Sequence, residues 1–253
     1  MRVALAAIAL SLFLYPAAAE DRVETELKAS AKALAEQLAS KEPGVRAEAL
    51  KVAATNQHAL VTTPLIKLLK DKDFATRVAA LNALGTREHA SERKKAARAV
   101  ASRLSKLSSK PETRTELLQA IDALHNLAHP TSIKPLLDNL RKETDREIAR
   151  ARLMAVANVS SPEAIDGLIN LAAKGRNMNR LKDLARAALK DATGENVRGG
   201  ADEWRAWWKE NKKDFDFEAV RAAREEAAQK RKDREEKKRQ RKEKREKKKR
   251  GDQ

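Results

Sequence analysis

One phrase returns five times along the chain. It reads VRAEALKVAA from Val45, TRVAALNAL from Thr76, TRTELLQAI from Thr113, ARARLMAVA from Ala149 and LARAALKDA from Leu184. Aligned on the second letter, the anchors are Arg46, Arg77, Arg114, Arg150 and Ala185, which stand 31, 37, 36 and 35 residues apart. An irregular period in the thirties constrains the fold strongly. Each unit is too small to bury its own apolar face, so neighbouring units must stack and share one core. A second apolar segment recurs between the phrases. TTPLIKLL, SIKPLLDNL and AIDGLINLA share an i, i+1, i+4 pattern near Leu65, Leu136 and Leu168, and KKAARAVASRL takes that place in the second unit. This spacing is helical, and alternating β-branched runs and Asn-Gly hairpin turns are missing from the sequence. TNQH, LAHPTS and NVSSPE supply the turns, with Pro130 and Pro162 suited to the first turn of a following helix. Polar joints such as SKEPG (40–44) and SSKPE (108–112) separate the units. The expectation is an all-α solenoid of about four to five helix pairs over residues 41–198.

The phrases resemble those of the HEAT-repeat family, in particular small exported bacterial HEAT-repeat proteins. Val45-Arg46, Ala49-Leu50, Arg77, Ala80-Leu81 and Pro162-Glu163-Ala164-Ile165 carry the likeness. The Gly-Asp of the usual turn is replaced by Ala128-His129 and by Ser160-Ser161. Thr193-Gly194 followed by Trp204 to Trp208 resembles the closing segment after the final repeat of such proteins. The likeness implies an armadillo-like, right-handed α-α superhelix, protein–protein scaffolding, and the concave helices as the usual binding face. The motif is structural and carries no reaction.

The first residues, MRVALAAIALSLFLYPAAAED, read as a secretory signal over 1–19. Arg2 gives the basic start, Val3 to Tyr15 the apolar stretch, Pro16 a break, and Ala17-Ala18-Ala19 a small-residue cleavage site. The apolar stretch is shorter than the roughly 20 residues a bilayer core demands. Export to the periplasm or medium is the expected localisation. The chain has no cysteine, so packing alone must stabilise it.

All three tryptophans of the chain fall within five residues, as Trp204, Trp207 and Trp208. The spacing i, i+3, i+4 puts them on one helical face. Because the last pair of a solenoid has no successor, the segment 199–218 is expected to seal the open flank, with Asp202 as N-cap. The alternative is a ligand platform of stacked indoles. At the other end, Val23, Leu27, Leu34 and Leu38 predict a capping helix within residues 20–40, from about Arg22 to Ala39.

Four histidines invite a metal reading: His58, His89, His125 and His129. Three fall at corresponding turns along one edge, where helix spacing of 8–10 Å is too wide for one ion with bonds of about 2 Å. His125 and His129 form an H-x-x-x-H pair without an obvious third ligand. No nucleophile elbow and no phosphate-binding glycine loop occur in the sequence. No catalytic residue, metal or cofactor is therefore expected, and the chain reads as a non-enzyme. A catalytic or ligand-binding groove on the solenoid is the minor alternative.

The formal charge is +17, and the last 35 residues, 219–253, hold 17 Lys plus Arg against 8 Asp plus Glu. This stretch is too polar to form a core. Acid-to-base pairs at i, i+4 favour a partly helical extension: Glu226–Lys230, Asp233–Lys237, Glu235–Arg239, Glu243–Lys247 and Glu246–Arg250. Lys237, Lys238, Arg239, Arg241, Lys242, Lys244, Arg245, Lys247, Lys248, Lys249 and Arg250 are the candidate contacts to a polyanion, whether envelope polymer, anionic lipid surface or nucleic acid. No aromatics are interleaved, so such binding would be nonspecific and salt-sensitive. The leading expectation is an exported scaffold with a protein partner, and polyanion binding through the tail is the rival.

Overall fold

A computed structural model of the chain describes the backbone of residues 5–173 and 179–251 and the side chains of residues 22–173 and 181–241. All regular structure among these residues is helical. The chain is an all-α solenoid that divides into two compact units, residues 1–159 and 160–253.

Unit 1 holds eight α-helices in two layers among the described residues. One layer is α2 (Pro43–Ala53), α4 (Phe74–Gly85), α6 (Pro111–Leu127) and α8 (Arg146–Ala157), each packed on the next. These are the phrase helices. The other layer is α1 (Leu5–Leu38), α3 (Ala59–Leu68), α5 (Ala90–Leu104) and α7 (Ile133–Leu137), again packed in sequence. The seam between the layers is leucine and alanine. Leu38, Leu65, Leu81, Leu104, Leu124 and Leu136 are buried, and small alanines such as Ala49, Ala80 and Ala96 let the helices approach. A close approach is at Gly85, where a Cβ would stand 3.0 Å from the Cα of Ala123. That contact ties the end of α4 to α6 without room for a side chain.

Helix starts follow from capping chemistry. Asp73 accepts the Thr76 N–H at 2.7 Å, and Asp145 accepts those of Glu147 and Ile148 at 2.9 and 3.2 Å. Pro43 and Pro111 open α2 and α6, where a missing N–H costs nothing.

Several expectations are corrected. α1 starts well before Arg22, and Pro16 lies inside it, because proline removes one backbone bond from a stretch otherwise rich in helix formers. Only the end of the expected stripe packs: Leu34 and Leu38 are buried, together with Ala31 outside it, whereas Val23 and Leu27 are more than half exposed. Positions 1–4 and every side chain of the expected signal lie outside the described residues. The repeat alignment slips at its fourth member. Arg46, Arg77 and Arg114 each stand four residues past their N-caps, Glu42, Asp73 and Lys110, but four past Asp145 is the buried Ala149. Arg150 points to solvent. The helix expected over SIKPLLDNL is short. It ends at Leu137, Asp138 is extended, and Asn139 takes a left-handed φ of 61°, a conformation asparagine tolerates.

Unit 2 holds α9 (Pro162–Ala173), α10 (Asn179–Thr193), α11 (Ala201–Asn211) and α12 (Phe217–Gly251). α9 packs on both α10 and α11, and α10 also meets α12. Leu181, Ala185, Ala188, Leu189 and Ala192 form the buried stripe of α10. The N-cap of α11 is Gly200 rather than Asp202. The Glu203 carboxylate reaches back to the Gly200 N–H at 2.6 Å, so the helix begins at Ala201, two residues earlier than the aspartate would set it.

Candidate interaction groove

The repeated arginines are the cross-links of unit 1. Arg46 Nη1 donates to the carbonyls of Ser40 and Lys41, both at 2.9 Å, and Arg77 Nη1 does the same to Asp71 and Lys72, both at 2.9 Å. Each guanidinium thereby ties down the joint that precedes its helix. The Nε of each then faces an acid of a later segment. Arg46 stands 3.6 Å from Asp71, Arg77 donates to Glu116 at 3.0 Å, and Arg114 donates to Asp145 at 2.9 Å. Arg114 also pairs with Glu147, and Arg103 of α5 shares Glu116. Burial alone would push Glu116 up, but hydrogen bonds from Arg103 and Arg77 outweigh it and hold the carboxyl below its usual range. The opposite edge has its own ties. Buried Arg87 donates to the carbonyls of Ala83, Asn56 and Ala53, and Arg93 donates to the Leu127 carbonyl, so cations cover the negative ends of α2, α4 and α6.

Beside the first of these cross-links lies a groove of about 800 Å³. Leu38, Pro64 and Leu68 give it an apolar lining. Lys41, Lys67, Lys70 and Lys72 stand around it with exposed side chains. Its other charges are already engaged. Arg46 and Asp71 face one another, and Asp73 is held below the usual carboxylate range by its Thr76 hydrogen bonds. The groove therefore offers apolar contact and uncommitted positive charge together. The sequence marked neither, because its walls come from the end of α1, from α3 and from two joints.

A second pocket, of about 320 Å³, opens where α7 breaks off. Leu104, Leu107 and Pro135 line it, with Ser109, Asn139 and Lys142 among its polar groups. Arg152 of α8 also lines it, although that side chain is 7 % exposed. Its Nη1 donates to the Asp138 carbonyl at 2.8 Å, and its Nε is buried with no partner among the described residues. Burial pushes this guanidinium below its ordinary value, while Glu143 and Asp138 oppose the shift.

Three of the four histidines are helix starts, and His125 lies in the last turn of α6. His58 and His129 accept the N–H of Leu60 and Thr131 through Nδ1, both at 3.2 Å, and His89 occupies the N-cap of α5. Burial, then the cations Arg93, Lys94 and Arg98, hold His129 below the usual imidazole range. Among the described residues no three His, Asp or Glu side chains gather as a metal would require. Likewise no helix among them is long and apolar enough to cross a membrane.

In unit 2 the tryptophans form one aromatic cluster. Trp204 and Trp208 are buried and Trp207 is half-buried. Trp204 meets Trp207 edge-on at 5.7 Å, and Trp207 stacks on Trp208 at 6.1 Å. Phe215 and Phe217 extend the cluster, the former 5.3 Å from Trp208. Asp166 of α9 accepts the Trp208 indole N–H at 2.9 Å and pairs with Lys212 at 2.8 Å. On α12, Lys237, Lys238, Arg239 and Arg241 are exposed. Lys242, Lys244, Arg245, Lys247, Lys248, Lys249 and Arg250 belong to the same helix, with side chains outside the described residues, as are the pairs Glu243–Lys247 and Glu246–Arg250. Of the expected i, i+4 pairs, Glu226–Lys230 forms, whereas Asp233 accepts from Gln229 at 2.8 Å.

Residues 31–121 match the family model of HEAT repeats. No curated protein matches the chain. Among solved structures, a computationally designed armadillo repeat protein for modular peptide recognition is 20 % identical, with a TM-score of 0.43, over 70 % of this chain and 86 % of that one. The HEAT likeness thus rests on the stretch from the second half of α1 to α6, the same stretch that carries the groove and the first two arginine cross-links.

Proposed function

We propose that the chain is a non-catalytic scaffold whose lysine-rimmed groove binds an acidic, partly apolar segment of a partner protein. The observation that carries this is the combination of four exposed lysines with the apolar lining of Leu38, Pro64 and Leu68 in one concavity. Apolar contact gives such a site affinity, and the charges select an acidic partner and speed its encounter. HEAT repeats are commonly interaction scaffolds, which accords with this reading. In the same reading residues 1–19 direct export, 199–218 seal unit 2, and 219–253 add a general attraction to polyanions.

A fluorescein-labelled peptide of alternating glutamate and leucine tests the proposal by anisotropy. Replacing Lys41, Lys67, Lys70 and Lys72 by glutamine is expected to weaken binding at least tenfold with the melting temperature unchanged. Binding should persist in part at 0.5 M salt on the order of a few Å of screening length, because the apolar contact is not screened. Binding that instead survives the four substitutions and disappears on removing 219–253 would assign it to the tail.

A further inference from the structure

Seven residues past the N-cap, the first three phrase helices place Ala49, Ala80 and Leu117, all buried apolar side chains. At the same position α8 places Arg152. A charge in this layer needs partners, because an ion is costly to remove from water. The break after α7 provides one: extended Asp138 turns its carbonyl toward Nη1, at 2.8 Å. It leaves Nε unmet, since that atom is buried without a partner among the described residues. The same break opens the pocket of about 320 Å³ that Arg152 lines. Both carboxylates that line the pocket also have partners of their own. Asp138 pairs with Lys134 at 3.0 Å, and Glu143 accepts the Asp145 N–H at 2.9 Å. Lys142, exposed at the rim, adds a second positive charge.

We propose that this pocket is a binding site for a small carboxylate with a short apolar body, received by Arg152 and Lys142, with Leu104, Leu107 and Pro135 against the body. The guanidinium is a fork of planar donors suited to a carboxylate. The volume lies at the lower end of the range for small-molecule sites, about 300–1,000 Å³. It accommodates either a free acid or the last residue of a chain, since both present the same carboxylate. The site is independent of the lysine-rimmed groove, and neither reading depends on the other.

The probes are N-acetyl-leucine, N-acetyl-leucine amide and an acetylated pentapeptide ending in a leucine carboxylate. Each is titrated into the isotope-labelled full chain while the backbone amide resonances of residues 138–143 are followed. The acid is expected to shift them saturably and the amide is not. Tighter binding of the pentapeptide assigns the site to a chain terminus, and equal binding assigns it to a free acid. Arg152→Leu puts an apolar side chain where the sister helices have Ala49, Ala80 and Leu117, so it should keep or raise the melting temperature while weakening the acid at least tenfold. Lys142→Ala should weaken it severalfold with stability unchanged, which gives an answer even if the Arg152 variant folds poorly. No saturable shift with either carboxylate, equal binding of the amide, or full binding by both variants would overturn the assignment.

Discussion

Arg77 Nε donates to Glu116 Oε2 at 3.0 Å, joining α4 to α6 through a carboxylate whose side chain is 1 % exposed. Arg103 of α5 meets the other oxygen, so one buried acid serves three helices. Removing it leaves two arginines facing each other with no anion between them. Breaking a buried pair on one side costs about 3–5 kcal/mol, and the partial exposure of both arginines, 17 and 22 %, favours the lower figure. Glu116→Ala is expected to lower stability by about 3 kcal/mol, or roughly 6–12 °C in melting temperature for a chain of this size. Far-UV circular dichroism on heating measures it. A shift under about 2 °C would mean that the carboxylate does not hold the layers together.

The same acid sets the low-pH limit. Glu116, Asp73 and Asp145 all titrate below their ordinary values in the folded chain. The unfolded chain therefore takes up protons first as pH falls. Stability from these groups is complete above about pH 4.5 and is lost below it as the folded groups titrate. His129 acts earlier and with the same sign. Its folded value lies below 6.5, so the unfolded chain binds the proton first and stability falls as pH drops below 6.5. Protonation also removes the Nδ1 acceptor that caps Thr131. Asparagine caps without titrating, so His129→Asn should flatten the stability profile between pH 5 and 7 and leave the acid limb intact. Urea midpoints at successive pH values read both limbs.

The aromatic cluster of unit 2 predicts a pair of unequal losses. Trp204 is 2 % exposed, and truncating a buried aromatic to alanine costs about 3–5 kcal/mol. Asp166→Ala leaves the packing but orphans the Trp208 indole N–H, at about 1–3 kcal/mol. Trp204→Ala should thus destabilise more than Asp166→Ala. Intrinsic fluorescence should separate them, because only the second keeps all three indoles.

How far the sequence revealed these features depended on whether they were local. Trp204, Trp207 and Trp208 share a helical face by spacing alone, so their clustering was legible. Asp166 was not, since it lies 42 residues from its Trp208 partner. The arginine anchors were visible as a repeat, but their acids follow at 25, 39 and 31 residues, as Asp71, Glu116 and Asp145, and no fixed period marks them. The slip at Arg150 arose because α8 has no arginine four residues past its N-cap, where Ala149 is buried, and letters alone do not say which position is buried. Both pockets escaped because turns and helix ends build them.

Ala128 ends α6 with φ 44° and ψ 44°, a left-handed residue with a side chain. The Cβ is disfavoured there by about 1–2 kcal/mol, and glycine avoids that cost while adding freedom to the unfolded chain. Ala128→Gly should therefore raise stability by about 1 kcal/mol or less, or roughly 2–4 °C. A lower melting temperature would show that the methyl group makes a packing contact worth more than the strain.

The basic helix tests whether charge and stability are separable along one element. Near its start α12 is tied to the unit, since Arg224 donates to Asp191 of α10 at 3.3 Å. From Glu225 to Arg241 every side chain is exposed. Removing residues 229–253 should leave the melting temperature unchanged, whereas removing 219–253 also removes the Arg224 contact and should lower it measurably. Both truncations delete Lys237, Lys238, Arg239 and Arg241, so both should abolish retention on heparin if the tail carries polyanion affinity. That retention should fall steeply with salt, as counterion release demands. Retention undiminished in the shorter truncation would move the polyanion site to unit 1, where Lys41, Lys67, Lys70 and Lys72 form the other concentration of exposed positive charge described above.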